Sequence, residues 1–247
     1  MKLEGGHKLF FEKTKDFLLD LFFPKFCVGC GCEGEFVCSD CSLFLSEASF
    51  ICPSCEKSSY LGERHLKCRK RGFPEGLVNL WDYEGVARKG IHQAKYDYYI
   101  AEILNDLMDR FFVRLGDNKS RISSFLNFLY QEDTVITFVS AYKVRASVKG
   151  FNQSEVIARN LGEKTKKEVV DLLKKTKKNV SQTNLNREER KENVKGVFKV
   201  KEGVDTPSRV VLVDDVWTSG ATMRECCRVL KKSGVKEVWG FTLARKV

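Results

Sequence analysis

The chain has 247 residues, 43% of them apolar and 31% charged, with a net charge of +10 and ten cysteines. This composition excludes an intrinsically disordered or collagen-like protein, and the length suffices for one or two domains with a substantial core. No stretch approaches the roughly 18 apolar residues of a membrane-spanning helix, and the first residues lack a signal-peptide pattern. We therefore expect a cytoplasmic protein without a membrane span.

The segment that precedes Pro24 is predicted to form an amphipathic helix, which the proline ends. Phe10, Phe17, Leu18 and Leu21 fall on one face at helical spacing. Such a helix can bind a membrane surface or a partner, or it can pack against a small neighbouring module that has little core of its own. We favour packing within the chain.

Eight potential metal ligands follow in four pairs, and two residues separate the members of each pair. The pairs are Cys27/Cys30, Cys38/Cys41, Cys52/Cys55 and His65/Cys68. Two such pairs make one tetrahedral zinc site, because the short gap lets both ligands of a tight turn face one ion. A cytoplasmic chain disfavours the alternative, a disulfide framework. Four protein ligands close a zinc site and no general base stands beside these pairs, so we predict structural zinc.

The sequence leaves the pairing of these ligands open. Pairing in sequence order makes one site from the first two pairs and a second site from the last two pairs. Interleaved pairing and a single functional site are the alternatives. Cys32 breaks the pair spacing, and we expect it to be a bystander.

Residues 1–75 thus form the predicted helix and double zinc module, and residues 76–247 form a second domain whose apolar spacing predicts alternating helices and strands. In chain order these are a helix at 100–115, a strand at 134–140, a helix at 155–167, a strand at 209–214, a helix with Met223, Cys226, Cys227 and Leu230 in its core face, and a strand at 235–243. The last strand, helix and strand form a parallel βαβ unit, so the fold class is α/β.

The positive charge is confined to one stretch of the chain. Residues 141–201 contain 17 Lys and Arg against 7 Asp and Glu, whereas the rest of the chain contains 26 of each kind. Such an excess suits phosphate, pyrophosphate or nucleic acid, although a lysine-rich solvated face has the same composition. For nucleic acid, Phe151 and Trp217 are candidate stacking platforms, with core packing as the alternative for both.

The most informative segment runs from the strand at 209–214 into the next helix. Two acids, Asp214 and Asp215, end the strand. The loop that follows contains Thr218, Ser219, Gly220, Ala221 and Thr222. Ligands of open α/β sheets bind beyond the carboxyl ends of strands, helix N-termini bind phosphate, and carboxylates suit sugar hydroxyls or a divalent cation. The chain lacks a Walker lysine motif and a G-x-G-x-x-G motif, which disfavours a nucleoside triphosphatase or a dinucleotide-binding protein.

At these residues the chain resembles the type I phosphoribosyltransferases, whose signature is an apolar strand, two acids and a Thr/Ser-Gly-x-Thr loop. The resemblance implies a Rossmann-like, mostly parallel sheet. It assigns Asp214 and Asp215, as the catalytic acids, to the ribose hydroxyls of phosphoribosyl diphosphate, and residues 218–222 to its 5-phosphate. Mg²⁺ would accompany this ligand. Its pyrophosphate would be held by Lys143, Arg145 and Lys149.

A narrower resemblance, to the ComF family of competence proteins, covers nearly the whole chain. It rests on the cysteine pairs, on Gly-Phe-Asn-Gln at 150–153, on Gln182 with Leu185, Arg190, Asn193 and Phe198, and on Leu-Ala-Arg at 243–245. The family implies a role in natural transformation, where single-stranded DNA is handled at the inner side of the membrane beside a helicase-like partner. We therefore expect binding of phosphoribosyl diphosphate, single-stranded DNA or both. An active phosphoribosyltransferase with an unidentified nucleobase or amine acceptor is the alternative.

Overall fold

The structure is a computed structural model that describes residues 24–69, 72–95, 99–116, 118–141, 151–177 and 187–246. The predicted N-terminal helix lies outside these ranges, and so do Lys143, Arg145 and Lys149. Among the helices within them, none is long and apolar enough to cross a bilayer.

Helices and strands alternate after the cysteine-rich segment. The helices are α1 (Ser39–Ser42), α2 (Gly85–Gln93), α3 (Ile100–Leu115), α4 (Ser123–Leu129), α5 (Gln153–Thr165), α6 (Arg187–Val194) and α7 (Ala221–Lys232). The strands are β1 (Gly76–Asp82), β2 (Thr134–Phe138), β3 (Leu173–Lys175), β4 (Phe198–Val200), β5 (Arg209–Trp217) and β6 (Glu237–Arg245). Short 3₁₀ turns occur at Tyr60–Gly62, Leu66–Cys68 and Lys119–Ile122.

Four strands form one parallel sheet in the order β1, β6, β5, β2. β5 lies in its interior, between β6 and β2, while β3 and β4 form a separate antiparallel pair. The connection β5–α7–β6 is the predicted βαβ unit, in which Asp214 lies opposite Thr242. The α/β class and the mostly parallel sheet are therefore confirmed, and Cys226 and Cys227 are fully buried in the core as expected.

β1 and α2 are elements that apolar spacing alone did not reveal. β1 is buried along nearly its whole length, yet Asn79 interrupts its apolar run. The Thr242 hydroxyl of β6 donates a hydrogen bond to Asn79 Oδ1 at 2.7 Å. A polar residue is tolerated inside this strand because its neighbour satisfies that oxygen.

β5 extends beyond the end that the apolar run predicted. It continues through Asp214 and Asp215 to Trp217, which pairs with Arg245 of β6. Pairing with β6 therefore extends beyond the apolar run. The two acids lie within the last part of a strand, which holds their backbone more firmly than a loop would.

The core occupies both faces of the sheet. α3, α4 and α5 cover one face together with the cysteine-rich segment, whose Cys27, Val37 and Leu45 belong to the same cluster as Leu80 of β1. α7 and the β3–β4 pair cover the other face. β1 begins at Gly76, next to the predicted domain boundary, but the segments on either side of that boundary share one core.

Two arginines of α3 hold the cysteine-rich segment by its backbone. Arg110 donates to the Val37 carbonyl and pairs with Asp106, which in turn accepts from the Val37 N–H at 2.9 Å. Arg114 donates to the Leu45 carbonyl at 2.6 Å. Because hydrogen bonds from a guanidinium are strong, they position the first cysteine cluster on α3.

Candidate functional site

The Cys-x-x-Cys turns that open the two cysteine clusters have the same backbone. The Gly31 N–H donates to the Cys27 carbonyl at 2.8 Å, and the Glu56 N–H donates to the Cys52 carbonyl at 2.8 Å. Gly31 and Glu56 both have positive φ, of 78° and 61°. Glycine adopts this conformation freely, whereas for Glu56 it costs about 1 kcal/mol. The second turn therefore carries a backbone strain that the glycine of the first turn avoids.

Five sulfur atoms converge at the first cluster. Those of Cys27, Cys30, Cys32 and Cys38 lie within 4.8 Å of one another. The Cys41 thiol lies within hydrogen-bonding reach of those of Cys27, Cys30 and Cys38. The backbone N–H of Cys41 donates to Cys38 Sγ at 3.4 Å. A tetrahedral site takes four ligands, so this cluster contains one thiol more than an ion needs. Cys32, expected to be a bystander, lies inside it.

The second cluster combines three thiols with an imidazole. The ligand atoms of Cys52, Cys55, His65 and Cys68 lie within 4.8 Å of one another. His65 Nδ1 is 3.4 Å from Cys55 Sγ, and His65 Nε2 is 3.0 Å from the Ser58 carbonyl oxygen. Because a carbonyl only accepts, Nε2 carries the proton and Nδ1 offers its lone pair, as in metal-ligating histidines. Each cluster can therefore hold a metal ion, and the clusters follow sequence order.

Backbone N–H groups favour the thiolate form of the first cysteine in each cluster, Cys27 and Cys52. Burial raises the pKa of Cys27, but hydrogen bonds from N–H groups, first that of Cys38, outweigh burial and lower this pKa to about 6. Burial also raises the pKa of Cys52, but hydrogen bonds from backbone N–H groups, first that of Cys55, outweigh burial and lower this pKa. The thiolate is the form that binds metal, so both turns are prepared for an ion.

The surplus thiol predicts that the first cluster tolerates the loss of either Cys32 or Cys41. Each single change, Cys32→Ser or Cys41→Ser, leaves four sulfurs and should retain the metal content of the natural chain. The double change leaves three sulfurs and should lose one metal equivalent. Elemental analysis of purified protein measures this content. Loss of one equivalent from Cys41→Ser alone, with retention in Cys32→Ser, would instead support the ligand set predicted from the pair spacing.

The acid pair stands at the end of β5, beside the N-terminus of α5. The Ser154 hydroxyl, in the first turn of α5, donates to Asp214 Oδ1 at 3.0 Å, and the Asp215 N–H donates to the same atom at 3.0 Å. Asp215 Oδ1 accepts from the Val216 N–H at 2.7 Å. Within the described ranges, no group outside the pair bonds to Oδ2 of either carboxyl group, while the two carboxyl groups lie within hydrogen-bonding reach of each other. The pair thus keeps both Oδ2 atoms for hydroxyl groups or a cation.

Burial of the Asp214 carboxyl group, reinforced by the neighbouring Asp215 carboxylate, raises the pKa of Asp214 to about 8, against the opposing bond from Ser154. The folded chain therefore binds a proton at Asp214 that the unfolded chain has released in the window from about pH 4 to pH 8. Stability falls as pH rises through that window. A carboxyl group held in this state is suited to a ligand that supplies hydrogen-bond donors or positive charge.

Asp214→Asn should consequently stabilise the protein more at pH 8 than at pH 5. The amide keeps an acceptor for Ser154 but cannot ionise, so it removes a penalty that is present only above the ordinary carboxyl pKa. We expect a gain on the order of 1–2 kcal/mol at pH 8, or a rise of about 2–4 °C in Tm per kcal/mol. Thermal unfolding at both pH values measures it, with the exposed Asp205→Asn as control. An equal gain at both pH values would contradict this assignment.

The loop enters α7 through a glycine in the left-handed region. Gly220 is the N-cap residue with φ of 66°, and a Cβ atom there would lie 2.3 Å from Cζ2 of Trp217. Trp217 is 2% exposed, so its ring fills the space beneath the loop. A stacking role for Trp217 is therefore wrong. Its Nε1, on the ring edge that faces Gly220, is buried without a hydrogen-bond partner in the described ranges.

Arg224, one turn into α7, links this loop to the second cysteine cluster. Its guanidinium donates to the Ser219 carbonyl at 3.0 Å, to the Pro53 carbonyl at 2.9 and 3.0 Å, and to Glu56 at 2.5 Å. It also lies over the Trp217 ring, 5.3 Å from the centroid. Pro53 is inside the Cys52–Cys55 turn. The strained Glu56 thus supplies the carboxylate that fixes Arg224 against both structures.

The Gly-Phe-Asn-Gln segment fixes α5 against the sheet. Asn152 caps the helix, since its Oδ1 accepts from the Ser154 N–H at 3.2 Å while its Nδ2 donates to the Val139 carbonyl at 2.9 Å. Gln153 Nε2 donates to the Ile91 carbonyl at 3.0 Å. These two residues are therefore structural, and they hold Ser154 at the acid pair.

The structure thus brings Asp214, Asp215 and the loop at 218–222 together at one end of the sheet. The pyrophosphate candidates Lys143, Arg145 and Lys149 lie outside the described residues. Sequence reasoning missed three residues that belong to these sites: Cys32, Ser154 and Arg224. Proximity to a motif was the only signal for each of them. Ser154 and Arg224 act through partners far away in the chain, whereas Cys32 joins near neighbours but breaks the pair spacing.

Known proteins match both parts of the chain. Residues 148–246 match the family described as phosphoribosyl transferase domain. The chain is 32% identical over 218 residues to competence protein ComFC of Streptococcus pneumoniae, covering 85% of this chain and 87% of that protein. It is 32% identical over 110 residues to competence protein F of Haemophilus influenzae, covering 43% and 48%. It is 27% identical to DNA utilization protein YhgH of Escherichia coli, covering 85% and 90%.

Proposed function

Because the chain belongs to the ComF family of competence proteins, we propose that the site at the end of β5 binds phosphoribosyl diphosphate together with Mg²⁺. The observation that carries the proposal is the acid pair at the end of a buried parallel strand, followed by a loop whose glycine caps α7. Asp214 and Asp215 accept hydrogen bonds from the ribose hydroxyls. Backbone N–H groups of residues 218–222, with the hydroxyls of Thr218, Ser219 and Thr222, bind the 5-phosphate.

Two features of the site support a ligand of this kind. The Oδ2 atoms of the acid pair receive no hydrogen bond from outside the pair in the described ranges, so they can bind a ribose with two adjacent hydroxyls. The Trp217 Nε1–H beside the loop is a buried donor without an acceptor, which an anion or an ordered water would satisfy. Mg²⁺, when bound, supplies charge neutralisation of the pyrophosphate, and Lys143, Arg145 and Lys149 hold that group.

The second part of the proposal is that residues 141–201 bind single-stranded DNA. Their excess of ten positive charges is of the kind that binds a phosphate backbone. The relatives named for competence and for DNA utilization support a role in DNA uptake. In this proposal the protein acts in the cytoplasm, at the inner face of the membrane, through a helicase-like partner. The cysteine clusters contribute structural Zn²⁺, whose preferred ligands are thiolate and imidazole.

Calorimetric titration with phosphoribosyl diphosphate and Mg²⁺ tests the first part. Binding at micromolar protein that Asp214→Ala/Asp215→Ala abolishes would support it, and an absence of heat in the natural chain would overturn it. A pyrophosphate-release assay under the same conditions separates binding from catalysis. Release that depends on an added nucleobase or amine would favour the alternative, an active phosphoribosyltransferase that displaces pyrophosphate from the anomeric carbon of the ribose.

Anisotropy of a fluorescent single-stranded oligonucleotide tests the second part. Affinity should fall with salt, and Lys143→Ala/Arg145→Ala/Lys149→Ala should reduce the slope of log K against log salt by about 2, since each lost phosphate contact removes about 0.7. An unchanged slope in this variant would remove these three residues from the DNA site.

A further inference from the structure

A second concentration of positive charge lies away from the site at the end of β5. A pocket of about 570 Å³ opens between the segment that follows the second cysteine cluster and the C-terminal end of α7. Its charged lining is entirely basic and consists of Arg64, Arg69, Arg228, Lys231, Lys232 and Lys236. All six residues lie outside the basic stretch 141–201, in the part of the chain whose charges sum to zero.

Nearby acids neutralise only part of this charge. Glu75 pairs with Arg64 at 3.1 Å and with Lys231 at 2.5 Å, and Glu225 pairs with Arg228 at 2.6 Å. Of the ion pairs described for these six cations, two carboxylates therefore supply all the negative charge. The three most exposed cations, Arg69, Lys232 and Lys236, have no ion pair in the described ranges.

The end of α7 explains some of these cations but not all. Lys231 and Lys232 lie in its last turn, where the helix dipole favours positive charge. Arg69 comes from the cysteine-rich segment and Lys236 directly precedes β6, so neither owes its position to the helix. Like charges gathered from three separate segments repel one another, and that repulsion is relieved when an anion binds between them.

The pocket is distinct from the loop at 218–222. α7 begins at that loop and ends at the pocket, and its 12 residues separate the two by roughly 16 Å. Arg224, which contacts the Ser219 carbonyl and the Trp217 ring at the loop, does not line the pocket. A ligand of one site therefore does not occupy the other.

We propose that this pocket, framed by Arg69, Lys232 and Lys236, is a second anion site that takes closely spaced phosphate groups. Guanidinium and ammonium groups together suit phosphate oxygens, and an excess of four cations calls for more than one phosphate. A free polyphosphate and consecutive phosphates of a single nucleic-acid strand share this chemistry. The inference does not depend on the proposed function of the loop.

Charge reversal at the pocket tests the proposal against a control with the same net charge. The test variant is Lys232→Glu/Lys236→Glu, and the control is Lys57→Glu/Lys119→Glu, whose lysines are exposed and do not line the pocket. Tripolyphosphate and a fluorescent single-stranded oligonucleotide are titrated separately into the full chain, each in the Asp214→Ala/Asp215→Ala background as well. We expect the test variant to weaken binding of at least one probe tenfold or more, and the control to weaken it less than twofold.

The two probes separate the sources of the phosphates. If the test variant weakens binding of tripolyphosphate alone, the ligand is a small polyphosphate. If it weakens binding of both probes, the ligand is a nucleic-acid strand that uses the same cations. Equal weakening in the test and control variants would overturn the proposal, because it would show an effect of net charge. Protection of Lys232 and Lys236 from acetylation by bound tripolyphosphate, read by mass spectrometry on the natural chain, provides a second readout that needs no variant. Unprotected lysines at saturating probe would also overturn it.

Discussion

Gly220→Ala is expected to lower the free energy of unfolding by about 2–4 kcal/mol and to abolish binding of phosphate ligands at the end of β5. The backbone there has φ of 66°, where alanine costs about 1–2 kcal/mol. The added Cβ would also lie 2.3–2.8 Å from the Trp217 ring. A buried ring cannot swing aside as a flexible side chain would, so overpacking adds about 1–3 kcal/mol. The displaced loop would no longer aim its N–H groups at one phosphate.

Gly203→Ala is the matched control for this change. Gly203 has φ of 75°, and a Cβ there would meet nothing within 4 Å, so this variant carries the backbone cost without the clash. Denaturant unfolding gives both free energies, and calorimetry with phosphoribosyl diphosphate and Mg²⁺ gives binding. Equal destabilisation by the two variants, with binding retained in Gly220→Ala, would show that the loop does not need the space beneath it.

Arg224→Ala is expected to destabilise the protein by about 2–4 kcal/mol, because it leaves a carboxylate and two carbonyl groups without their donor. The Arg224 side chain is only 13% exposed and that of Glu56 22%, so water replaces these bonds poorly. The loss also removes the ion pair with Arg224 that holds Glu56 in a strained conformation, with φ of 61°.

An exposed arginine of similar pairing provides the comparison. Arg159 pairs with Glu155 at 2.7 Å, and its side chain is 64% exposed. Arg159→Ala should therefore cost only about 0.5 kcal/mol. If the two arginine variants lower stability equally, burial of the Arg224 contacts is not what makes them strong.

Arg224 also predicts that metal at the second cluster affects phosphate binding at the loop. The Pro53 carbonyl and Glu56 belong to the turn that a metal ion would order, and both hold the arginine that supports Ser219. Chelation should therefore weaken binding of phosphoribosyl diphosphate in the natural chain and have little further effect in Arg224→Ala. An equal loss in both proteins would assign the coupling to general unfolding.

Local patterns in the sequence predicted much of the fold. The α3, α5 and α7 helices follow from apolar residues at helical spacing, and β2, β5 and β6 from short β-branched runs. These signals depend on neighbouring residues, so they survive without knowledge of the tertiary structure. β1 escaped prediction because the partner of the Asn79 side-chain oxygen is Thr242, a residue distant in sequence. The end of β5 escaped because pairing with β6, rather than apolar character, keeps Asp214 to Trp217 extended.

The parallel α/β class, the cysteine-rich segment and the strand–acid–loop signature can be recognised in the sequence, because each depends on residues close together in the chain. Folding is needed to bring five sulfurs together at the first cluster, to place Ser154 against Asp214, and to let Arg224 link the loop to the second cluster. Folding also gathers six cations at one pocket, although the charges of the chain outside residues 141–201 sum to zero. Charge and ligand atoms act through distances of a few ångströms, and folding sets those distances between segments that composition treats as unrelated.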